Sequence, residues 1–382
     1  MRIVLIVVLC IAAALVVGGG IMTVSIYNDN FNKRFESYEP HMLKVSDFDG
    51  LQRTRYEFPS DKGQKLVGYL YSAGGSVSGA ESAADAETAS TGDSPRGIII
   101  ISHGFGAGHN SYMDIADYFA RNGYLVFAYD ATGNDESEGI GQGMGKENGL
   151  GGIPQGVIDL SYAISFVEDS GNFPDLPIAL FGHSWGGYSV CAVLTYHPEV
   201  KAVIECSGCN SSADMFEAGG KDQAGALIYA MLPFVKLHER IKYGKYAANT
   251  AMDGFAASDA AVMIVHSADD NVLPIEYGLD LYYEKYKDDP RFRFMRLEEK
   301  GHSHVFNDRA YIDEFNAEFD KWLETLDYDY KEDKERFSQD KADYIHKNLD
   351  REKWSHMLDQ DMMGQFLDFY DENLNQVRQA KE

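Results

Sequence analysis

Short apolar runs alternate along the chain with longer segments whose apolar residues have helical spacing. "SYMDIADYFARNG", "QGVIDLSYAISFVED" and "WGGYSVCAVLTYH" predict amphipathic helices, whereas "GIIIIS", "YLVFAYD", "PIALFG", "VKAVIEC", "AVMIVHS" and "RFRFMRLEE" predict strands. Strands that are apolar on both sides are buried on both sides, so helices must flank the sheet. The pattern therefore predicts an α/β fold with a mostly parallel central sheet.

The N-terminal segment departs from this alternation. Residues 3–27 carry no charge, and this uncharged segment is about as long as a membrane-spanning helix needs to be. The flanking charges give only a weak orientation bias, since Arg2 precedes the segment and both basic and acidic residues follow it. We expect residues 1–28 to form an uncleaved anchor with the catalytic domain outside the cytoplasm. A signal peptide, cleaved to release a secreted enzyme, is the alternative.

The remaining pattern divides the chain into a core with two additions. We assign residues 29–206 and 259–330 to the α/β core, with a flexible, Gly- and Ser-rich insertion at 72–97. Residues 207–258 interrupt the alternation with helix-prone sequence after a strand. Because sites in such sheets assemble at the carboxyl ends of strands, we expect this segment to be a lid that shapes the substrate pocket. Residues 331–382 are expected to form a C-terminal helical extension.

Charge and cysteine content narrow the function. The chain has 34 basic and 60 acidic residues, a net charge of −26, which disfavours binding to nucleic acid. Cys206 and Cys209 form a C-x-x-C that follows a predicted strand; they are either a disulfide or two free thiols. No second C-x-x-C accompanies them, so we expect no zinc site and no bound metal.

A nucleophile motif lies between a predicted strand and a predicted helix. Gly182, Ser184 and Gly186 form G-x-S-x-G, in which a tight turn lifts the serine above the sheet edge. The following helix directs its N-terminus at the site and favours developing negative charge. We therefore predict that Ser184 is a nucleophile, and that His183 is a packed histidine and not its base.

Such a serine needs a carboxylate and a histidine, in the order serine, acid, histidine. "HSADDNVLP" and "KGHSHVF" both follow predicted strands downstream of Ser184. Two adjacent acids, Asp269 and Asp270, and two histidines, His302 and His304, are the candidates that these stretches offer.

Four stretches together resemble the α/β-hydrolase superfamily, in the branch of serine aminopeptidase-like hydrolases, monoacylglycerol lipases and lysophospholipases. They are "SHGFGAGHNSYMDIADYFARNGYLVFAYDATGNDESEG", "FGHSWGGYS", "VHSADDNVLP" and "KGHSHVF". The resemblance implies that Asp270 is the acid and His302 the base. It also implies that the backbone amides of Phe105 and Trp185 form the oxyanion hole. Asp135 stands where the family usually has glycine.

The resemblance implies a serine hydrolase that cleaves carboxylic esters, acyl or lipid-like, without a cofactor. A small-molecule ester or lipid would be the substrate, and the N-terminal helix would contact a membrane. An aminopeptidase-like amide hydrolase or an acyltransferase is the alternative, for which the lid offers Glu217, Asp222 and Glu239. A non-catalytic binding protein on the same fold is a third hypothesis.

Overall fold

The computed structural model describes residues 2–73, 95–141, 143–145 and 148–381. The strands in these residues are β1 (Leu51–Pro59), β2 (Lys65–Ala73), β3 (Ile98–Ser102), β4 (Leu125–Asp130), β5 (Gly139–Gly141), β6 (Gly143–Gly145), β7 (Ile178–His183), β8 (Ala202–Cys206), β9 (Ala261–Ser267) and β10 (Phe292–Leu297). The helices are α1 (Arg2–Phe31), α2 (Met113–Arg121), α3 (Gln155–Asp169), α4 (Trp185–Ala192), α5 (Ser212–Ala224), α6 (Leu227–Tyr243), α7 (Ala251–Ala257), α8 (Leu279–Tyr286), α9 (Ala310–Leu323), α10 (Lys334–Asn348), α11 (Arg351–Ser355) and α12 (Gln360–Lys381). The predicted insertion at 72–97 lies mostly outside the described residues.

Eight strands form one sheet in the order β1-β2-β4-β3-β7-β8-β9-β10. β1 pairs with β2 and β2 with β4 in antiparallel register, and the remaining neighbours are parallel. The carboxyl ends of β7, β9 and β10 therefore lie at the same edge of the sheet. The α/β-hydrolase fold expected from the sequence, with a mostly parallel sheet, is confirmed.

The sheet is covered on both faces, as the uniformly apolar strands predicted. In β3, Ile98 and Ile100 belong to one buried cluster and Ile99 and Ile101 to the other, because successive side chains point to opposite faces. The first cluster contains residues of α3, α4 and α8, and the second contains residues of α2 and α12.

The last helix is part of the core although the sequence placed it in an extension. Phe366, Phe369 and Tyr370 of α12 are buried in the second cluster. The Tyr370 hydroxyl donates a 2.7 Å hydrogen bond to the carbonyl of Leu180 in β7. The segment beginning at 331 therefore includes a helix on which one face of the sheet depends. Helices α9 and α10 instead contribute to a small separate cluster.

The apolar N-terminal helix ends inside the folded domain. Leu9–Phe31 has the length and apolarity of a membrane span, with a mean hydropathy of 2.3, and a signal sequence would meet the same criteria. Most of it is exposed, but Tyr27 is fully buried and its hydroxyl donates a 2.6 Å hydrogen bond to Glu239 of α6. The helix thus continues past the predicted boundary at 28, and its last turn packs on the domain.

Residues 207–258 form the three helices α5, α6 and α7. The first packs against α6, and α6 also packs along α1. α7 packs closely on α4: a Cβ added at Gly254 would lie 1.9 Å from the carbonyl oxygen of Cys191. This inserted segment is therefore anchored on the α1 and α4 sides of the domain.

Candidate active site

Ser184 occupies a sharp turn between β7 and α4. Its φ of 58° lies in the left-handed region, which is unfavourable for a residue with a Cβ and is typical of a nucleophile elbow. The flanking glycines allow this turn. A Cβ at Gly186 would lie 1.9 Å from the carbonyl oxygen of Ser102, and one at Gly182 would lie 2.3 Å from the Gly186 carbonyl oxygen. The close approach explains why the motif needs glycine at both positions.

A chain of two hydrogen bonds joins Ser184, His302 and Asp270. The Ser184 hydroxyl lies 2.8 Å from His302 Nε2, and His302 Nδ1 lies 2.7 Å from the carboxylate of Asp270. The arrangement fits a neutral imidazole whose Nδ1–H donates to Asp270 and whose Nε2 accepts from the serine. The three side chains proposed from the sequence therefore come together, with the geometry that proton transfer from serine requires.

Asp270 is buried and firmly held. Its Oδ1 accepts hydrogen bonds of 2.9 Å from the backbone N–H groups of Val272 and Leu273, and its Oδ2 lies 3.1 Å from His266 Nε2. Burial opposes ionisation, but the hydrogen bonds from His266 and His302 outweigh it and hold the pKa of Asp270 below its ordinary value. The carboxylate is thus charged at neutral pH and can orient His302.

The two alternative candidates have other partners. Asp269 is exposed, and its Oδ1 accepts hydrogen bonds from the Ser267 hydroxyl at 2.5 Å and from the Gly301 N–H at 2.9 Å. His304 Nδ1 lies 3.2 Å from the side-chain oxygen of Asn307. Asp269 therefore braces the loop that carries His302, a contact that the sequence did not reveal.

His266 and Glu205 form a buried pair behind Asp270 that sequence reasoning missed. Burial opposes the charged form of His266, but Asp270 and Glu205 outweigh it and raise its pKa. Burial also raises the pKa of Glu205 to about 7, although His266 opposes the shift. No signal in the sequence marks this pair, because Glu205 lies inside the apolar run of β8.

Phe105 and Trp185 lie close to Ser184, the first in the wall of the same cavity and the second directly after the serine in the chain. Trp185 is the first residue of α4, and Phe105 lies in the loop after β3. Among the described residues, no protein group accepts a hydrogen bond from either N–H. Two free amides beside the serine, one of them at a helix N-terminus, are the donors that an oxyanion hole requires.

A buried network connects the loop of Phe105 with the loop of His302. The Gly104 N–H donates to the Tyr112 hydroxyl at 2.9 Å, and this hydroxyl donates to His183 Nδ1 at 2.8 Å. His183 Nε2 in turn donates to the backbone carbonyl of His302 at 3.0 Å. Burial lowers the pKa of His183 to about 3, so the ring is neutral and all three hydrogen bonds persist. His183 is a packed histidine, as the sequence predicted.

A cavity of about 320 Å³ opens beside Ser184. Its walls come from the loop of Phe105, the loop of His302, the N-terminal segment 37–43, and Trp354 and Met357 near the end of the chain. Within the described chain, no lining residue belongs to 207–258. That this inserted segment shapes a substrate pocket stays a prediction, because segment 37–43, Trp354 and Met357 form that part of the wall of this cavity.

Within the described chain, neither the buried cysteines nor the one group with metal-ligand spacing lines the cavity. Cys206 and Cys209 are buried free thiols, so the C-x-x-C is not a disulfide here. Among the described residues, one group has metal-ligand spacing: Glu168, His197 and Glu199. Both nitrogens of His197 are already hydrogen-bonded, to Ser161 and Glu199, and none of the three lines the cavity. The hydrogen bonds of His197 therefore explain why these three side chains lie close together.

Residues 93–251 match the family described as serine aminopeptidase, S33. The match includes Ser184 and both oxyanion-hole candidates and ends before Asp270 and His302. Two curated relatives are similar over part of the chain. The monoacylglycerol lipase of Mycolicibacterium smegmatis is 29% identical over 114 residues, which are 30% of this chain and 38% of that protein. The monoglyceride lipase of Rattus norvegicus is 32% identical over 93 residues, 24% and 28% of the two chains.

The two alignments with the lipases thus span well under half the length of each of these relatives. Among solved structures, a puromycin-hydrolyzing peptidase of Mycobacterium tuberculosis aligns with a TM-score of 0.51 and 14% identity. The alignment covers 85% of this chain and 39% of that one. A likeness at this level of identity supports the fold alone.

Proposed function

We propose that the chain, which is similar to the monoacylglycerol lipase branch of the α/β-hydrolase superfamily, is a serine hydrolase cleaving uncharged carboxylic esters. Ser184 is the nucleophile, His302 the general base and Asp270 the acid that orients it. The observation that carries this proposal is the unbroken pair of hydrogen bonds from Ser184 through His302 to Asp270, beside a cavity and two free amides.

The reaction follows from this geometry in two steps. His302 Nε2 takes the proton of Ser184 as Oγ attacks the ester carbonyl, and Asp270 stabilises the resulting imidazolium. The Phe105 and Trp185 amides bind the oxyanion of the tetrahedral intermediate. His302 then protonates the leaving alcohol, and an acyl-enzyme remains on Ser184. Water, activated by the same histidine, releases the carboxylic acid.

The cavity favours an uncharged substrate. No lysine or arginine is among its lining residues, so within the described structure it offers no cation for a phosphate or carboxylate. Its walls combine apolar side chains, such as Met42, Leu43 and Phe306, with hydroxyl and imidazole groups. A volume of about 320 Å³ is at the lower end for ligand sites, which suits a short acyl group or one end of a longer ester.

The amide-cleaving alternative lacks a clear amine site. Of the lid acids proposed for that role, Glu239 is buried against Tyr27 and Ser212, and Glu217 accepts a hydrogen bond from Tyr277. The cavity contains one carboxylate, Asp114, and burial raises its pKa to about 7. A carboxylate that is only partly ionised at neutral pH is a weak partner for a free amine.

The same proposal puts the enzyme at a membrane, with its catalytic domain outside the cytoplasm. The length and apolarity of Leu9–Phe31 support a membrane anchor, and its packing against α6 supports a helix retained in the mature protein. Lipid or acylated-envelope esters would then be within reach.

A substrate panel tests this function. The detergent-solubilised full chain would be assayed with p-nitrophenyl esters of two to sixteen carbons and with aminoacyl-anilides, alongside Ser184→Ala. We expect hydrolysis of the shorter esters, weak cleavage of anilides, and no turnover by the variant. Preferential cleavage of anilides, or turnover that survives in Ser184→Ala, would refute the proposal.

A further inference from the structure

The segment that follows the apolar helix is hydrogen-bonded to the core beside the active site. The Phe35 N–H donates to the Gly133 carbonyl at 2.9 Å, and the Asp135 N–H donates to the Phe35 carbonyl at 3.0 Å. Both the N–H and the hydroxyl of Ser37 donate to the Asp135 carboxylate, at 2.6 and 2.7 Å. These contacts fix Phe35 between the end of α1 and the cavity wall.

This arrangement explains an unusual residue in the loop after β4. Asp135 stands where the resemblance predicts glycine, and its φ of 37° is in the region that favours glycine. Its carboxylate compensates by accepting both hydrogen bonds from Ser37. The departure from the family pattern thus coincides with the contact that holds the N-terminal segment.

Aromatic rings from this segment enclose the side chain of Phe105. The Phe35 ring is 4.6 Å from the Phe105 ring between centroids, and the Phe31 ring is 5.5 Å away, both edge to face. On its other side, Phe105 packs edge to face on Trp185 at 5.7 Å. The side chains of the two residues that offer oxyanion N–H groups therefore touch each other, and the N-terminal segment presses on one of them.

We propose that Phe35, supported by Phe31, is a positioning residue that sets the oxyanion hole by holding Phe105 against Trp185. The inference rests on the proposed function, since it needs Ser184 chemistry to be visible. The Gly104 N–H donates to Tyr112, and the Gly104 carbonyl accepts hydrogen bonds from His103 Nδ1 at 2.8 Å and from the Ala107 N–H at 3.1 Å. Gly106 follows Phe105 with a φ of 73°. These hydrogen bonds hold the backbone on the Gly104 side, but glycines on both sides leave the Phe105 peptide units with little intrinsic rigidity, so packing of the Phe105 ring adds to the restraint on its N–H.

The consequence is that the N-terminal segment contributes to catalysis and is more than a tether. Oxyanion stabilisation depends on donors placed within a few tenths of an ångström of the developing charge. A displacement of about 1 Å can cost roughly 10²-fold in rate. Loss of the Phe35 ring should therefore lower turnover while leaving ground-state binding in the cavity nearly intact.

The test compares full-chain variants in the same detergent. Phe35→Ala removes the ring, Phe35→Leu retains much of its volume, and Phe173→Ala is a matched control. Phe173 is also partly buried and packs on aromatic rings, those of Tyr56, Phe127 and Phe166, none of which lines the cavity. Titration with a fluorophosphonate gives the active fraction of each protein, so kcat is expressed per competent site.

We expect Phe35→Ala to reduce kcat by about 10- to 100-fold with KM changed less than threefold. Binding of a boronic acid, which mimics the tetrahedral intermediate, should weaken by a similar factor. Phe35→Leu should recover most of the activity, and Phe173→Ala should retain it. A Phe35→Ala enzyme with kcat within twofold of wild type, or with a loss confined to KM, would overturn the inference. An inactive wild type would instead contradict the proposed function itself.

Discussion

Replacing Asp270 by asparagine tests the geometry of the site most informatively. The backbone N–H groups of Val272 and Leu273 both donate to Oδ1, so the asparagine carbonyl must take that position. Its NH₂ group then faces His302 Nδ1, which has to accept instead of donate. The proton of the neutral imidazole moves to Nε2, and His302 loses its ability to take the proton of Ser184.

The expected loss is about 10⁴-fold in kcat, as for the same substitution in a related triad, or about 5 kcal/mol of transition-state stabilisation. Asp269→Asn is the matched comparison. Its carbonyl oxygen can still accept from Ser267 and Gly301, so we expect a loss of less than about tenfold. Steady-state hydrolysis of a short acyl ester measures the kcat of both variants, and circular dichroism checks that each is folded. A larger loss in Asp269→Asn than in Asp270→Asn would refute the assignment of the acid.

Three further outcomes are expected. Tyr112→Phe leaves the Gly104 N–H unpartnered, so we expect a loss of stability of about 1–3 kcal/mol in urea unfolding, with reduced kcat. Burial raises the pKa of Glu239 to about 7, so the folded state holds a proton that the unfolded state has released. The contribution of Glu239 to stability should therefore be fully present below about pH 4.5 and decline by up to about 1.4 kcal/mol per pH unit toward pH 7, and Glu239→Gln should remove that component of the pH dependence in thermal unfolding. Trp354→Ala opens the cavity wall and should shift the ester panel toward longer acyl chains, whereas Leu237→Ala on the exposed side of the lid should not.

The strands and the nucleophile could be predicted because their signals are local. An apolar run of five or six residues is short for a core helix and therefore favours a buried strand, and G-x-S-x-G requires a turn that glycine permits. Asp270 and His302 required a resemblance as well, since two adjacent acids and two nearby histidines are equivalent in a single sequence. The hydrogen bonds of Asp269 show why, since this acid also has a structural role in the loop that carries His302.

The pocket wall could not be predicted because it depends on long-range contacts. Trp354 donates a hydrogen bond to the backbone carbonyl of His41 across 313 residues of sequence, and both line the cavity. Nothing in the local pattern of 37–43 or 354–357 distinguishes these stretches from ordinary surface. The inserted helices of 207–258 carried the stronger signal, so the sequence drew attention to them and not to the segments that line this cavity.

The end of the N-terminal helix could not be predicted closely for a related reason. Hydropathy marks where the apolar run ends, but Tyr27 at its end and Phe31 just beyond it pack on the domain. An amphipathic residue such as tyrosine can serve either a membrane interface or a protein interior. Its hydrogen bond to Glu239 distinguishes the two here and could be seen only in the folded chain.

The central claim is that Ser184 is an activated nucleophile, and intact-protein mass spectrometry after reaction with a fluorophosphonate tests it most directly. We expect the wild type to gain one phosphonyl group, which peptide mapping locates on Ser184. Ser184→Ala should remain unmodified, and His302→Ala should react far more slowly. A folded wild type that stays unlabelled, or a label on any other residue, would contradict the proposed mechanism.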